Sequence, residues 1–127
     1  MLKVYKPETC GSVKDYSFKI LDKVALSGSW SIVYDIKNRK IYFKTESNQT
    51  IREVDFKTFT FGCETESMIY DLGLQNEGNV SGKFIKYDAI LNKQKMKEAM
   101  KLTGIELPGS IMSRFYKYAS EGRCDTR

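Results

Sequence analysis

At 127 residues, with 41% hydrophobic and 29% charged, the chain has the size and balance of one soluble globular domain that buries roughly two thirds of its unfolded surface if it folds alone. No stretch approaches the ~20 apolar residues of a membrane span, and MLKVYKPETCGS has Lys3 and Lys6 but no continuous apolar segment after them, unlike a secretory signal. The net charge of +5 is spread along the chain with no basic run longer than two, so no nucleic-acid arm is expected.

The three cysteines, Cys10, Cys63 and Cys124, are too few and too scattered for a zinc site, and zero histidines rule out a mixed Cys/His set. They are expected as free thiols; one disulfide, Cys63 to Cys124 first, is the alternative in an oxidising compartment.

Along the chain, SVKDYSFKILDKVA predicts an amphipathic helix over about 12–25, with Tyr16, Ile20 and Val24 as its stripe, widened by Leu21 and Ala25. Ser12 suits the N-cap, and Asp15 suits the first turn, where a carboxylate complements the helix dipole. LSGS breaks the pattern. The period then changes to two: Trp30, Ile32, Tyr34 and Ile36 share one face, and Ser31, Val33 and Asp35 the other, so a strand is predicted over about 29–36.

Lys37, Asn38 and Arg39 form the bend, with Asn38 best suited to a left-handed position. Strands over about 40–46 and 50–56 complete a three-stranded antiparallel meander, which needs a covering layer. Met68 to Leu72 reads as a short strand, and Gln75 to Gly82 as a loop. A helix over about 83–102 places Tyr87, Ile90, Leu91, Met96, Ala99 and Met100 on a broad apolar side and ends at Gly104 as C-cap; Met96 and Met100 read as core packing. A last helix over about 108–119 starts at Pro108, with Ile111, Phe115 and Tyr118 inward. Together these predict one α+β domain over 1–127, a three-stranded or slightly larger antiparallel sheet with helices packed on one face.

The residues alone name no reaction centre. A cysteine nucleophile needs a base, and there is no histidine; Cys10 could use its own α-amine only if cleavage exposed it. Glu64 and Glu66 fall in a loop, and Asp35 stands at a hairpin end where polar residues are usual. No GxGxxG, P-loop or HExxH occurs. Lys37, Arg39 and Lys40 could meet an anion, but a solvated hairpin tip is the simpler reading. No catalytic, cofactor-binding or metal-binding residue is assigned.

WSIVYDIKNRKIYFKT, continuing through SNQTIREVDF, resembles the C-terminal sheet segment of the choloylglycine hydrolase family, the linear amide C–N hydrolases that include bile salt hydrolase and penicillin V acylase. The family pattern is a helix, a Gly/Ser bend, W-S-I-V-Y-D, a polar bend, I-Y-F, another bend, then I-R with a following D-F. Here the helix is SFKILDKVA, and CETESMIYDLG followed by KFIKYDAILNK is similar to the extension of the longer bacterial members. The resemblance runs from about Ser17 to the end.

It implies part of a four-layer αββα sandwich of the amino-terminal-nucleophile hydrolases. The family's cysteine nucleophile and the Arg, Asp and Asn residues that assist it would lie upstream of the matched segment. None maps onto this chain, and neither Arg52 nor Arg114 matches the catalytic arginine context. The expected function is therefore the C-terminal part of an amidase, inactive alone. The alternatives are a small subunit that completes an active amidase with a second chain, or a stand-alone basic interaction module. The expected partners are a second copy or the missing catalytic chain, with no nucleic acid and no membrane, and with a small-molecule amide substrate only when the catalytic part is present.

Overall fold

The computed structural model describes residues 11–118. In chain order the elements are α1 (Val13–Val24), β1 (Trp30–Asp35), β2 (Lys40–Thr45), β3 (Asn48–Asp55), a 3-10 turn (Phe56–Thr58), β4 (Met68–Ile69), β5 (Gly78–Asn79), a second 3-10 turn (Ser81–Lys83), β6 (Ile85–Lys86), α2 (Ala89–Thr103) and α3 (Gly109–Tyr118). The fold is α+β, with a four-stranded, mostly antiparallel sheet and three helices among the described residues. Composition suggests one domain; the described chain divides into two compact units, 11–59 with Asp71–Lys83, and Thr60–Tyr70 with 84–118.

In the first unit, α1 begins where the Ser12 hydroxyl accepts the Asp15 N–H at 3.1 Å and donates to the Asp15 carboxylate at 2.7 Å, a cap that satisfies a first-turn donor. The buried residue of the helix is Phe18, at 3% exposure, whereas Val24 is 69% exposed. Val24 thus drops out of the expected stripe, while its other members Tyr16, Ile20 and Leu21 are half-buried. The side of α1 that meets the sheet runs through Lys14, Phe18 and Asp22: Lys14 lies over the Tyr42 ring, Phe18 lies under the Lys44 ammonium, and Asp22 pairs with Lys44 at 2.5 Å. Those positions are four apart, so they share a helix face as well as the apolar set does.

The sheet order is β1-β2-β3-β5. Trp30 pairs with Thr45, Ile32 with Phe43 and Tyr34 with Ile41; on the other side Phe43 pairs with Arg52 and Ile41 with Val54, with a register shift between Phe43 and Thr45. Cross-strand partners share a face, so Trp30, Ile32, Tyr34, Ile41, Phe43, Thr45, Arg52 and Val54 form one surface. Ser31, Val33, Tyr42, Lys44 and Glu53 form the other, and it is this second surface that α1 covers.

The fourth strand falls inside the segment read from sequence as a loop. Gly78–Asn79 runs parallel to β3, pairing with Arg52 and Glu53, and the ladder continues as the Val80 N–H donates to the Glu53 carbonyl at 2.8 Å. The next step of that register places Val80, with no exposed surface, beside Val54. At the first hairpin the left-handed residue is Arg39, at φ 57°, not the expected Asn38. Asn38 serves differently: its backbone and side-chain N–H groups donate to the two Asp35 oxygens at 3.0 and 2.7 Å, an Asx-type closure of the turn.

In the second unit, β4 and β6 pair antiparallel, extended by the Tyr87 N–H donating to the Ser67 carbonyl at 2.7 Å. The Tyr70 and Phe84 rings stack at 5.4 Å. The helix expected from Lys83 therefore starts only at Ala89, since Ile85–Lys86 is committed to the ladder and Asp88 caps by accepting the Ile90 and Leu91 N–H groups at 2.7 and 3.1 Å. It ends as expected at Gly104, at φ 67°.

No side chain of α2 is fully buried; Ile90 is 79% exposed and Met96 and Met100 are half-buried, so the broad core-facing side expected of this helix does not form. In α3, which starts one residue after Pro108, the buried residue is Met112, while Ile111 and Phe115 are exposed, a second correction of stripe. The side chain of Tyr118 lies outside the description.

Candidate functional site

The open surface of the sheet has two halves with different fates. Over β3 it is sealed. Arg52 has no exposed surface, lies 4.6 Å from the Phe43 ring centroid, and donates through Nη1 to the Leu72 and Leu74 carbonyls at 3.0 and 3.3 Å and through Nη2 to the Thr45 hydroxyl at 3.0 Å. Asn48 adds its side-chain amide to the Asn76 carbonyl at 3.0 Å. The 72–76 segment is thus strapped over the strand by its own backbone carbonyls.

This arrangement explains why an arginine occupies a core position. Its planar fork reaches several acceptors at once while the stem and plane pack as apolar bulk against Phe43. No carboxylate pairs with it among the described residues, and its Nε has no partner.

Over β1 the same surface is bare. Trp30 is 57% and Tyr34 63% exposed, and Ile32 and Ile41 are half-buried. β1 is also the outer strand of the sheet in the topology of the described residues. Two large rings on one face of an edge strand form an apolar strip of the kind that marks a contact surface.

The charged residues singled out in the sequence are accounted for individually. Asp35 closes the hairpin, and its carboxyl is held below its ordinary pKa by the Asn38 side-chain hydrogen bond first and the Asn38 backbone second. Lys40 is bound to Glu53 at 2.6 Å; that hydrogen bond raises its pKa, so it is no open anion receptor. Tyr42 is raised too, mainly by burial. Lys37 and Arg39 are exposed at the hairpin tip.

Glu66 pairs with Lys86 in the second unit, and Glu64 is exposed. Arg114 lies exposed on α3. Cys63 is disulfide-bonded, which corrects the free-thiol expectation at that residue; Cys10, Cys124 and the Cys63–Cys124 pairing lie outside the described residues. Among the described residues no group of three or more His, Cys, Asp or Glu could hold a metal ion. No helix there is long and apolar enough to cross a membrane.

The residues that carry the family resemblance therefore hold the fold. Asp35 ends W-S-I-V-Y-D and caps the turn; Arg52 of I-R straps 72–76; Asp55 of the D-F pair accepts the Lys57 N–H at 2.9 Å and donates its own N–H to the Ser81 hydroxyl at 2.8 Å. The burial of Arg52 escapes a sequence reading that places charges at the surface. Its signal was available, since Arg52 falls in phase with Val54 on β3. No protein-family model, curated protein or solved structure matches the chain.

Proposed function

We propose that this chain is the supporting wall of a linear amide C–N hydrolase of the choloylglycine type, the part that backs an active site whose nucleophile resides on other polypeptide. The observation that carries the reading is the sidedness of the sheet: α1 covers one surface, while Trp30 and Tyr34 stand largely exposed on the other. An αββα sandwich requires such a surface, because its second sheet packs there. The engagement of Asp35, Arg52 and Asp55 in turns, caps and straps supports it further. The surface would be covered by the catalytic polypeptide or by a second copy of the chain.

The purified chain is expected to leave a simple N-acyl amide unhydrolysed and to associate, with itself or with a polypeptide bearing an amino-terminal cysteine. Burying about 100 Å² more of the Trp30 ring is worth roughly 2.5 kcal/mol, so Trp30→Thr should weaken that association by about 50-fold. Sedimentation velocity across a wide concentration range reads the self-association. A strict monomer that also ignores the catalytic polypeptide, or amide turnover by the chain alone, contradicts the proposal.

A further inference from the structure

A second feature lies on the helix-covered side of the sheet and does not depend on the hydrolase reading. The last turn of α1, the bend at 27–29 and the adjoining ends of β1 and β2 enclose a cleft of about 360 Å³, within the size range of small-molecule sites. Ser31 lines it and is 8% exposed, yet its hydroxyl has no hydrogen-bond partner among the described residues. Among the described residues the one sealed side-chain atom without a partner is Arg52 Nε, so the Ser31 hydroxyl reaches the solvent of the cleft and is free to bond whatever enters it. Ser29 lines the same cleft with its hydroxyl also unengaged.

The charges in the cleft decide what that occupant is. Lys44 is the one cation of the lining, with its side chain 11% exposed, and its ammonium is already committed to Asp22 at 2.5 Å and to the Phe18 face at 5.6 Å. Two carboxylates stand against it. Asp22 uses one oxygen on Lys44, and Glu46 uses one on the Ser27 hydroxyl at 3.1 Å, so each keeps a second oxygen unengaged. The lining therefore has a net charge of −1 on a chain whose total is +5. An anion entering here would meet two like charges and an ammonium already paired. A cation meets two carboxylate oxygens and two hydroxyl lone pairs.

We propose that this cleft binds a small primary-ammonium compound, with the ammonium on the unengaged oxygens of Asp22 and Glu46 and an adjoining polar group on Ser31. The test uses three matched probes on the full chain: 2-aminoethanol, ethylene glycol and glycolate, which differ in charge at nearly constant size. Amide chemical shifts of residues 27–31 and 44–49 are followed by NMR.

The expected result is saturable shifts confined to those residues with 2-aminoethanol, and at least about tenfold weaker binding of the other two probes. Ser31→Ala should weaken 2-aminoethanol about three- to tenfold through one lost hydrogen bond. Glu46→Gln, at an exposed position that leaves the fold intact, should weaken it further. Glycolate binding as well as or better than the amine, equal binding of the neutral diol, or no saturable shift below about 0.1 M amine overturns the proposal.

Discussion

Replacing Arg52 separates two ways in which a buried guanidinium can stabilise a sheet. Arg52→Ala removes three donated hydrogen bonds, leaves the Leu72 carbonyl without its guanidinium donor and the Leu74 carbonyl with only the long Asn48 amide contact at 3.5 Å, and opens a cavity beside Phe43. A buried polar group left unpaired costs roughly 1–3 kcal/mol and a large-to-Ala truncation roughly 2–5 kcal/mol. Since the carbonyls can partly recover by turning to water, the sum is about 4–5 kcal/mol, a drop in Tm of roughly 16–20 °C for a chain this size. Arg52→Met keeps the bulk against Phe43 and removes the cost of a buried charge that has no carboxylate partner, so only the strap is lost, at about 2 kcal/mol.

Arg52→Lys keeps the charge but concentrates it on one nitrogen that does not span Leu72, Leu74 and Thr45 together, and should fall below Met. Urea unfolding followed by far-UV circular dichroism gives the order, and amide exchange at 72–76 reports the strap directly. The expected ranking is wild type, then Met, then Lys and Ala, with exchange at 72–76 accelerated in all three variants. If Lys proves the mildest, charge and not the fork is what the site needs; if Met matches wild type with exchange unchanged, the strap contributes nothing. Either result refutes the reasoning.

Other expectations follow from single interactions. Asp35 has a depressed pKa, so its contribution to the hairpin is fully present above the unfolded value of about 3.9 and is lost as pH falls through the lower folded value. Asp35→Asn should remove that acid-side dependence from the Asn38 amide shift, and an unchanged titration would contradict it. Asp88→Ala deletes the acceptor of two N–H groups at the start of α2 and should cost about 1 kcal/mol, seen as faster amide exchange at Ile90 and Leu91. Phe18→Ala should cost about 3–4 kcal/mol and Val24→Ser under about 0.5 kcal/mol, by the same unfolding assay; the opposite order would restore the stripe expected from the apolar spacing.

Much of the framework was legible because it rests on local chemistry. The period-two runs at Trp30–Asp35 and Lys40–Thr45, the Ser12 cap and the Gly104 stop each depend on neighbours in sequence, and the structure has them at or near the expected residues. What escaped was set by distant partners. Gly78–Asn79 has no strand signal of its own and becomes a strand only because β3 offers an open edge. The ladder between Met68–Ile69 and Ile85–Lys86 overrides a helical spacing that would otherwise have extended α2 to Lys83. The stripe assignments were incomplete for a related reason: counting apolar residues ignores that the ammonium groups of Lys14 and Lys44 can sit over ring faces, so the side of α1 that meets the sheet carries lysine and aspartate as well as phenylalanine.

That choice of face bears on function more than any single residue does. A small α+β domain that completed its own core would be expected to place its helix over the surface holding Trp30, Ile32, Tyr34, Ile41 and Phe43, since each ring so covered is worth roughly 2–3 kcal/mol. Instead α1 lies over Ser31, Tyr42 and Lys44, and the register that puts it there follows from the alternation of β1, which a one-residue slip would invert. Leaving Trp30 and Tyr34 uncovered is unfavourable for an isolated chain, which is the consideration behind the wall proposed above. The strap across β3 divides that surface, because it seals the half next to 72–76, where Phe43 and Val54 are buried, while Trp30 and Tyr34 along β1 stay exposed; under the proposal it is this strip alone that a second polypeptide would cover.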